Sequence, residues 1–465
     1  MNKQFSRRDF LKLAGGAVVT VAGGSLLPQF LRKTLMPEQV VNAAGDYDLF
    51  FAGTDGFMWN PGPSMAPYHP DDWVEPPFTN YMFGFRNVTY FEDSVGGLTA
   101  DEKVQNQKLK AQHNAPFFWL DQYDDTVNPV DFKLQVTNLG LQMRPDLTDP
   151  HTLHWHGFRN VIPFFDGEPT GSVAIPTGGL FTYVYRPRDP GTYMYHCHVE
   201  DIEHVQMGMT GIVFVRPLQN ITNPSLYPSG KFAYNDSDGS TGYDREFPMF
   251  LSEVWVKARW NGLHIQEHVW ADFKADFSLL NGRVYPDTLL PNSPIDVANS
   301  TKSLVIQSDP DTGDLVIPAE PRLQNQPHSA LITCEAGERV LLRFANLGFR
   351  EASMTLAGIK MKVVGRDATP MKGRDGTDTS YETDTLLMGA GESYDTIFTA
   401  PAFSGGSGSS GNGYDTYVLY NRRYTQVSNL SDGGSGGQRT EVRVYPTGGL
   451  GAQAHFNDAV NYFPL

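Results

Sequence analysis

Cysteine is scarce in this sequence, with Cys197 and Cys334 as the only two among 465 residues. A chain of this length can bury two or three apolar cores without a disulfide framework. Cys334 stands in a strand-like run at residues 331–335, where a free cysteine is most simply a small core residue. We therefore expect no disulfide between the two cysteines.

Charged residues are also few in this sequence. Charged residues make up 19% of the chain, and 36 basic residues face 52 acidic ones, for a net charge of −16. Such an acidic chain excludes nucleic acid as the expected partner. Apart from an N-terminal segment, no run approaches the roughly 20 apolar residues of a membrane-spanning helix. We expect no stable membrane span.

The N-terminus has the features of an export signal. Arg7 and Arg8 precede a weakly apolar stretch at residues 13–27, and Ala43 and Ala44 suit cleavage. Paired arginines in this position indicate the twin-arginine route. A membrane anchor is the alternative, but glycines dilute the stretch and it is short for a span. The prediction is a signal peptide at 1–44 and a periplasmic or extracellular protein.

Glycine, proline and aromatic residues are abundant. The chain has 46 Gly, 32 Pro, 29 Phe and 21 Tyr, a composition typical of many short strands joined by tight turns. Residues 131–140 and 338–348 have similar strand-like patterns, and both close on Asn-Leu-Gly. We predict an all-β protein with two copies of one strand-rich plan.

Composition also predicts the domain boundaries. Residues 218–245 are rich in Asn, Pro, Ser, Gly and Asp, which indicates a surface linker. It separates a first domain at 45–217 from a second at 246–447, with a tail at 448–465. Residues 52–115 are expected to wrap over the first domain before its regular strands begin.

Two short segments hold six of the twelve histidines. These are His151, His154, His156, His196, His198 and His204. In a strand, residues two apart share a face, so His154 and His156 present two imidazoles side by side. His196 and His198 do the same, and Cys197 between them points to the opposite face.

A thiolate, two imidazoles and a weak thioether form the ligand set of blue-copper centres. His204 and Met209 follow Cys197 on the next loop, and His151 can face the same side because its spacing to His156 is odd. Zinc also takes thiolate and imidazole, but the thioether favours copper. We predict a type 1 copper site with Met207 as the competing axial ligand. Its ligands are His151, Cys197, His204 and Met209.

These segments resemble the motifs of the multicopper oxidases, the laccase-like proteins built of cupredoxin domains. Residues 151–157 are similar to H-x-x-H-x-H-G, and residues 196–209 to H-C-H…H…G-M. The resemblance implies two cupredoxin-like Greek-key β-sandwich or barrel domains and an oxygen-reducing cluster beside the type 1 copper. It implies that Asp166 delivers protons, the alternative being an ordinary Asp-Gly turn. The implied cluster ligands are His154 (type 2) and His156, His196 and His198 (type 3).

The sequence departs from the family pattern at two places. Six residues separate Cys197 from His204, two more than in the usual loop. The family's trinuclear cluster takes eight histidines, four from each of two domains, and the second domain here is expected to lack them. Its aligned residues are Ala352, Thr355, Ala357, Tyr420, Asn421 and Arg422. His264 and His268 have a helical spacing, and we expect them to be surface or core residues.

The predicted function is that of a copper-dependent oxidoreductase. It would take electrons from a small molecule or metal ion at the type 1 copper and pass them through Cys197 to a second copper site that reduces oxygen. One alternative is a nitrite-reductase-like enzyme with a type 2 copper and a ligand from a neighbouring subunit of a homo-oligomer. Others are a periplasmic electron-transfer or copper-binding protein and a metal-free cupredoxin, which the intact ligand set disfavours.

The reducing substrate is left open by the sequence. Glu200, Asp201 and Glu203 lie on the loop after Cys197. They would attract a cation such as Fe(II), Mn(II) or Cu(I) if they rim the copper, or simply form a solvated loop. Phenolic substrates are the other class.

Overall fold

A computed structural model describes most of the chain. The described residues are 47–62, 77–89, 91, 93, 97–266, 268–292, 295–296, 304–305, 320–406, 413–430 and 435–453. The predicted twin-arginine segment at 1–44 lies outside them, as does most of the predicted tail. Within the described ranges, no helix combines the length and apolar character needed to cross a membrane.

Strands dominate the structure, and the all-β prediction is confirmed. The first half, residues 47–217, contains β1 (Leu49–Met58), β2 (Asn80–Asn87), β3 (Phe118–Asp121), β4 (Phe132–Asn138), β5 (His154–His156), β6 (Leu180–Tyr185), β7 (Gly191–His196) and β8 (Thr210–Arg216).

The second half, residues 245–453, begins with β9 (Arg245–Val254), β10 (Phe277–Leu280), β11 (Ile295–Asp296), β12 (Leu304–Val305), β13 (Ile332–Glu335), β14 (Arg339–Asn346) and β15 (Ala352–Leu356). It continues with β16 (Met361–Arg366), β17 (Thr369–Pro370), β18 (Tyr381–Thr383), β19 (Thr385–Met388), β20 (Ser393–Thr399), β21 (Asp415–Asn421) and β22 (Arg439–Tyr445). The α-helices are short: α1 (Ala100–Gln105), α2 (Asp201–Met207), α3 (Gln219–Thr222) and α4 (Val256–His264).

The first half is a sandwich of two four-stranded sheets, ordered β2-β1-β4-β6 and β3-β8-β7-β5. Their inner faces share one apolar core, in which Phe51 of β1 packs edge-on against Phe118 of β3 with 5.6 Å between ring centroids. In a sandwich of two sheets, alternate side chains along each strand point towards the opposite sheet and become buried. The sheet edge formed by β5 and β7 carries the histidine segments.

Strands of the second half pair with one another in the same way as those of the first half. β9 runs parallel to β14 as β1 does to β4, and β13 runs parallel to β22 as β3 does to β8. β4 and β14 coincide with the strands predicted at residues 131–140 and 338–348. The two halves therefore share one topology.

Register extends the correspondence to single residues. In the first half His154 of β5 pairs with His196 of β7, and in the second half Thr355 of β15 pairs with Tyr420 of β21. This match supports the alignment that places Thr355 and Tyr420 opposite histidines. The second half thus carries non-ligating side chains at these two equivalent positions.

The predicted wrap over residues 52–115 is wrong in part. β1 and β2 pair with each other, and β1 also pairs with β4, so both belong to the regular sheet. All ten residues of β1 are buried. A strand covered on both faces lacks polar alternation, which is why the sequence pattern did not reveal it.

The predicted surface linker at 218–245 is also wrong in part. Its apolar residues form a small core against the second half, and Asp236 accepts hydrogen bonds from Gln219 and from the backbone of Gly239. The polar residues that suggested a loop instead form the hydrogen bonds of a tight, buried turn. The members of this core are Ala233, Tyr234, Tyr243, Leu341, Val364 and Ile397.

A buried ion-pair network joins the two halves. Arg343 of β14 is fully buried, with its Nε donating to Glu246 at 2.8 Å and its Nη1 to Asp395 at 3.2 Å. Nη1 also reaches Thr192 of β7 at 3.3 Å, and the guanidinium stacks over Phe214 of β8. One side chain therefore connects strands of both halves.

Candidate metal centre

One end of the first sandwich brings together the residues predicted as metal ligands. β5 pairs with β7, Cys197 directly follows β7, and α2 returns the chain to the start of β8. Two groups of candidate ligands result. We call His151, Cys197, His204 and Met209 the cysteine site, and His154, His156 and His196 the histidine site.

At the cysteine site, His151, Cys197 and His204 each place one ligand atom within 4.8 Å of the others. The Cys197 Sγ lies 3.2 Å from His204 Nδ1. The backbone N–H of Thr152 donates to this sulfur at 3.4 Å. All three candidate ligands are fully buried.

Met209 lies next to this group. Its backbone carbonyl accepts from the Cys197 N–H at 3.0 Å. A Cβ built on Gly53 would stand 2.8 Å from His151 Cδ2 and 3.5 Å from Met209 Cε, so both side chains meet over this glycine. The competitor Met207 instead packs its methyl against Gly262 of α4. Met209, and not Met207, would therefore supply the thioether to a metal held at the cysteine site.

The segment after Cys197 is a helix, although a loop was expected. Glu200 immediately precedes α2 and has a left-handed φ of 47°. The last turn places His204 against Cys197. Of the three acidic residues expected on a rim, Glu203 is buried with Oε2 3.6 Å from His268 Nδ1, whereas Glu200 and Asp201 are exposed.

Burial controls the protonation of the cysteine site. It lowers the pKa of His151 to about 4 and that of His204 well below its usual value. It raises the pKa of the Cys197 thiol to about 11. The imidazoles are therefore neutral and ready to coordinate, while a metal must displace the thiol proton.

The cysteine site fits a copper ion. Among the described residues, neither ring nitrogen of His151 has a hydrogen-bond partner, and the same is true of His204 Nε2. Buried polar atoms without a partner are rare in native proteins and require an explanation. A soft donor set of sulfur, two nitrogens and a thioether supplies one, because it matches copper.

Gly53→Ala is expected to weaken copper binding at the cysteine site by roughly ten- to a hundredfold, as loss of a supporting contact does at other metal sites. The new methyl would stand 2.8 Å from His151 Cδ2 and must displace that ring. Competitive copper titration followed by the blue absorption measures the effect. Gly389→Ala is the control, since its methyl would meet Glu392 at an ordinary 3.6 Å. Equal affinity in the two variants would contradict the packing of His151 over Gly53.

The histidine site lies on the other side of β7. One ring nitrogen from each of its three members lies within 4.8 Å of the other two. His156 Nδ1 is 3.3 Å from His196 Nε2, and the rings of His154 and His196 are 5.2 Å apart. Burial lowers the pKa of His196 to about 3 and also lowers that of His156, so these rings are neutral donors.

His198 stands beside this group. Its ring centroid is 5.0 Å from that of His154 and 5.5 Å from that of His196. Its backbone N–H donates to the Thr152 hydroxyl at 2.9 Å. The structure thus places all four predicted histidines together, with three of them converging on one point.

Asp166 is in contact with the histidine site. Its backbone carbonyl lies 2.9 Å from His154 Nδ1 and its Oδ1 lies 3.3 Å from the same nitrogen. Burial raises the pKa of Asp166, with His154 and His198 acting in the opposite direction. A carboxyl here is placed to hold a proton beside the histidines.

Sequence reasoning missed Asp149. Its Oδ2 is buried 4.0 Å from His204 Nε2, and together with Glu200 it forms a third group of candidate ligands. The only local signal was its position two residues before His151. His264 stacks on Trp260 and joins no such group within the described ranges, while His69 and His455 lie outside them.

Comparison with known proteins gives two matches to one family. Residues 134–220 and 277–407 both match the family described as multicopper oxidase. The multicopper oxidase MmcO of Mycobacterium tuberculosis is 26% identical over 264 residues, 55% of this chain and 42% of that protein. The multicopper oxidase MCE of Talaromyces pinophilus is 27% identical over 207 residues, 42% of this chain and 30% of that protein. The chain thus spans less than half the length of these relatives.

Solved structures show the same fold. A blue copper oxidase from Nitrosomonas europaea superposes with a TM-score of 0.51 at 19% sequence identity, covering 85% of each chain. The cupredoxin-like all-β prediction is confirmed.

Proposed function

We propose that this chain, which matches multicopper oxidase models at residues 134–220 and 277–407, is a copper-dependent oxidoreductase with two linked metal sites. The cysteine site would accept electrons from a reductant, and the histidine site would bind the electron acceptor, with oxygen as the expected one. Copper is the cofactor of the family. When bound, it would supply one-electron redox chemistry at both sites.

One observation carries this proposal. Cys197 belongs to the cysteine site and His196, its immediate neighbour, to the histidine site. The peptide bond between them gives a covalent route from one site to the other. His196 Nδ1 also lies 2.8 Å from the Cys197 carbonyl oxygen, which adds a hydrogen-bonded route over the same residues. A protein that only carries electrons would need neither.

We propose Asp166 as the residue that holds a proton for the acceptor. It is partly exposed and in contact with His154, so it can exchange protons with solvent and deliver them to the histidine site. Oxygen reduction consumes protons, and a carboxyl with a raised pKa retains one closer to neutral pH.

The reductant we favour is a cation. Asp149 and Glu200 place carboxylates beside His204, the ligand of the cysteine site that faces them. Their charge would concentrate cations such as Fe(II), Mn(II) or Cu(I) at the point of electron entry. The chain's overall acidity acts in the same direction. Phenol oxidation that outpaces oxidation of these cations would argue against this choice.

We also propose that the protein works in the periplasm or outside the cell. Arg7 and Arg8 motivate the twin-arginine route, which exports folded proteins. Cell fractionation tests this, because accumulation of the processed chain in the cytoplasm would contradict it.

The proposed function is tested by reoxidation. The copper-loaded chain, reduced without oxygen until its blue absorption disappears, should regain it when oxygen is admitted. His154→Ala should slow this return by roughly ten- to a hundredfold, because the acceptor site loses a ligand. Nitrite, supplied instead of oxygen, tests the reductase alternative. Equal rates in the parent and the variant would indicate a simple electron carrier.

A further inference from the structure

We infer that the histidine site holds a single metal ion and that the second half of the chain meets it with the backbone of Gly391 instead of with histidines. This inference rests on the proposed function and concerns the nuclearity of its second site. The family's trinuclear cluster does not fit the residues that surround His154, His156 and His196.

The three rings are oriented for one shared ion. His154 Nδ1 lies 2.9 Å from the Asp166 carbonyl oxygen, and His196 Nδ1 lies 2.8 Å from that of Cys197. A ring N–H bonded to a carbonyl fixes the tautomer and leaves the other nitrogen free to coordinate. The Nε2 atoms of both rings are therefore the available donors.

His156 lies against the second half, and Nε2 is its ring nitrogen that faces Gly391. The other nitrogen, Nδ1, lies 3.3 Å from His196 Nε2 and is directed into the site. His154 and His196 thus each have one nitrogen bonded to a main-chain carbonyl, His156 has one against the Gly391 backbone, and each ring has a second nitrogen directed into the site.

Gly391 is a residue of the second half that lies against the His156 ring. It lies between β19 and β20, has a φ of +81°, and its N–H donates to Asn346 at 2.8 Å. A Cβ here would lie 3.3 Å from His156 Nε2, so a larger side chain would press on that ring. The Gly391 backbone therefore occupies the space beside the His156 ring.

The equivalent residues of the second half have other partners. Thr355 and Thr385 join their hydroxyls at 2.8 Å. The Asn421 amide donates to Gln426 and to Gln438, both at 2.8 Å. These positions therefore form hydrogen bonds within the second half.

The histidine site offers three ring nitrogens. They are enough to hold one copper ion but too few to hold three.

Copper and spin counting tests the inference. The metal-free full-length chain is loaded with Cu(II), freed of excess metal and analysed for copper and for EPR-visible spins per chain. We expect two coppers and two spins, one from each site. His154→Ala and His156→Ala should each lower both numbers to one while keeping the blue absorption, which also reports correct folding. His198→Ala is the matched control and should keep two coppers.

Several results would overturn the inference. Four coppers with only two visible spins would reveal a coupled pair and hence a trinuclear cluster. A single blue copper in the parent chain that survives in His154→Ala, or loss of copper in His198→Ala, would also contradict it, as would a higher count confined to an oligomer. A chain without blue absorption whose single copper disappears in His154→Ala would instead refute the proposed function and support a lone ion at the histidine site.

Discussion

Replacement of Cys197 by serine is expected to abolish the blue absorption and the type 1 EPR signal, and to reduce oxidase turnover to background. In the proposed function the Cys197 thiolate would be the ligand responsible for that absorption, and Cys197 would provide the covalent link to His196. A serine hydroxyl is a hard, protonated donor that replaces neither property. Absorption and EPR spectra of the copper-loaded variant measure the loss directly.

Cys334→Ala provides the control. Cys334 is free and buried in the core of the second half, as the sequence predicts. Its removal should leave the spectra unchanged and cost only a modest amount of stability. If the blue absorption survived in Cys197→Ser or vanished in Cys334→Ala, the assignment of the cysteine site would be wrong.

Arg343→Met is expected to lower the free energy of unfolding by about 3–5 kcal/mol, the usual cost of removing one partner from a buried ion pair. Methionine fills much of the volume but leaves the Glu246 and Asp395 carboxylates buried with less compensation. The contact to Thr192 of the first half is lost as well. Denaturant unfolding followed by circular dichroism measures the change.

Arg186→Met is the matched control for this measurement. Arg186 also pairs with a carboxylate, Asp131, at 2.6 Å, but its side chain is 53% exposed. An exposed pair contributes about 0–1 kcal/mol. A similar loss in both variants would mean that the buried network has no special role in stability.

The same network predicts a pH dependence. Burial alone would raise the pKa of Glu246, but the guanidinium groups of Arg216 and Arg343 outweigh it and hold the pKa at about 2, below its usual 4.5. A depressed pKa contributes stability above 4.5 that is lost as pH falls through about 2. In Arg343→Met the pKa of Glu246 should rise, so acid unfolding should begin at a higher pH than in the parent chain.

Much of the candidate centre could be predicted because strand periodicity is simple. Alternation along β5 and β7 separates Cys197 from His196, and an odd spacing places His151 with the cysteine. The repeat also identified Thr355 and Tyr420 as the second half's counterparts of histidines, which the strand register reproduces.

The rest depends on contacts that no local pattern encodes. β1 is buried on both faces, and the 218–245 segment buries aromatic residues among turn-forming ones. Asp149 lies near His204, and Gly391 near His156, through the packing of segments that are distant in sequence. Residue type gives no hint of such a role.

If the two sites joined through His196 and Cys197 hold one copper each, as inferred above, the number of coppers limits how many electrons the chain can store. With one copper at each site, a fully reduced chain holds two electrons, whereas conversion of dioxygen to water consumes four electrons and four protons. One fully reduced chain can therefore transfer two electrons to dioxygen, which takes up two protons and becomes hydrogen peroxide. Reaching water requires two further electrons to enter through the cysteine site, and two further protons, before the acceptor departs, so the supply of reductant would decide which product leaves.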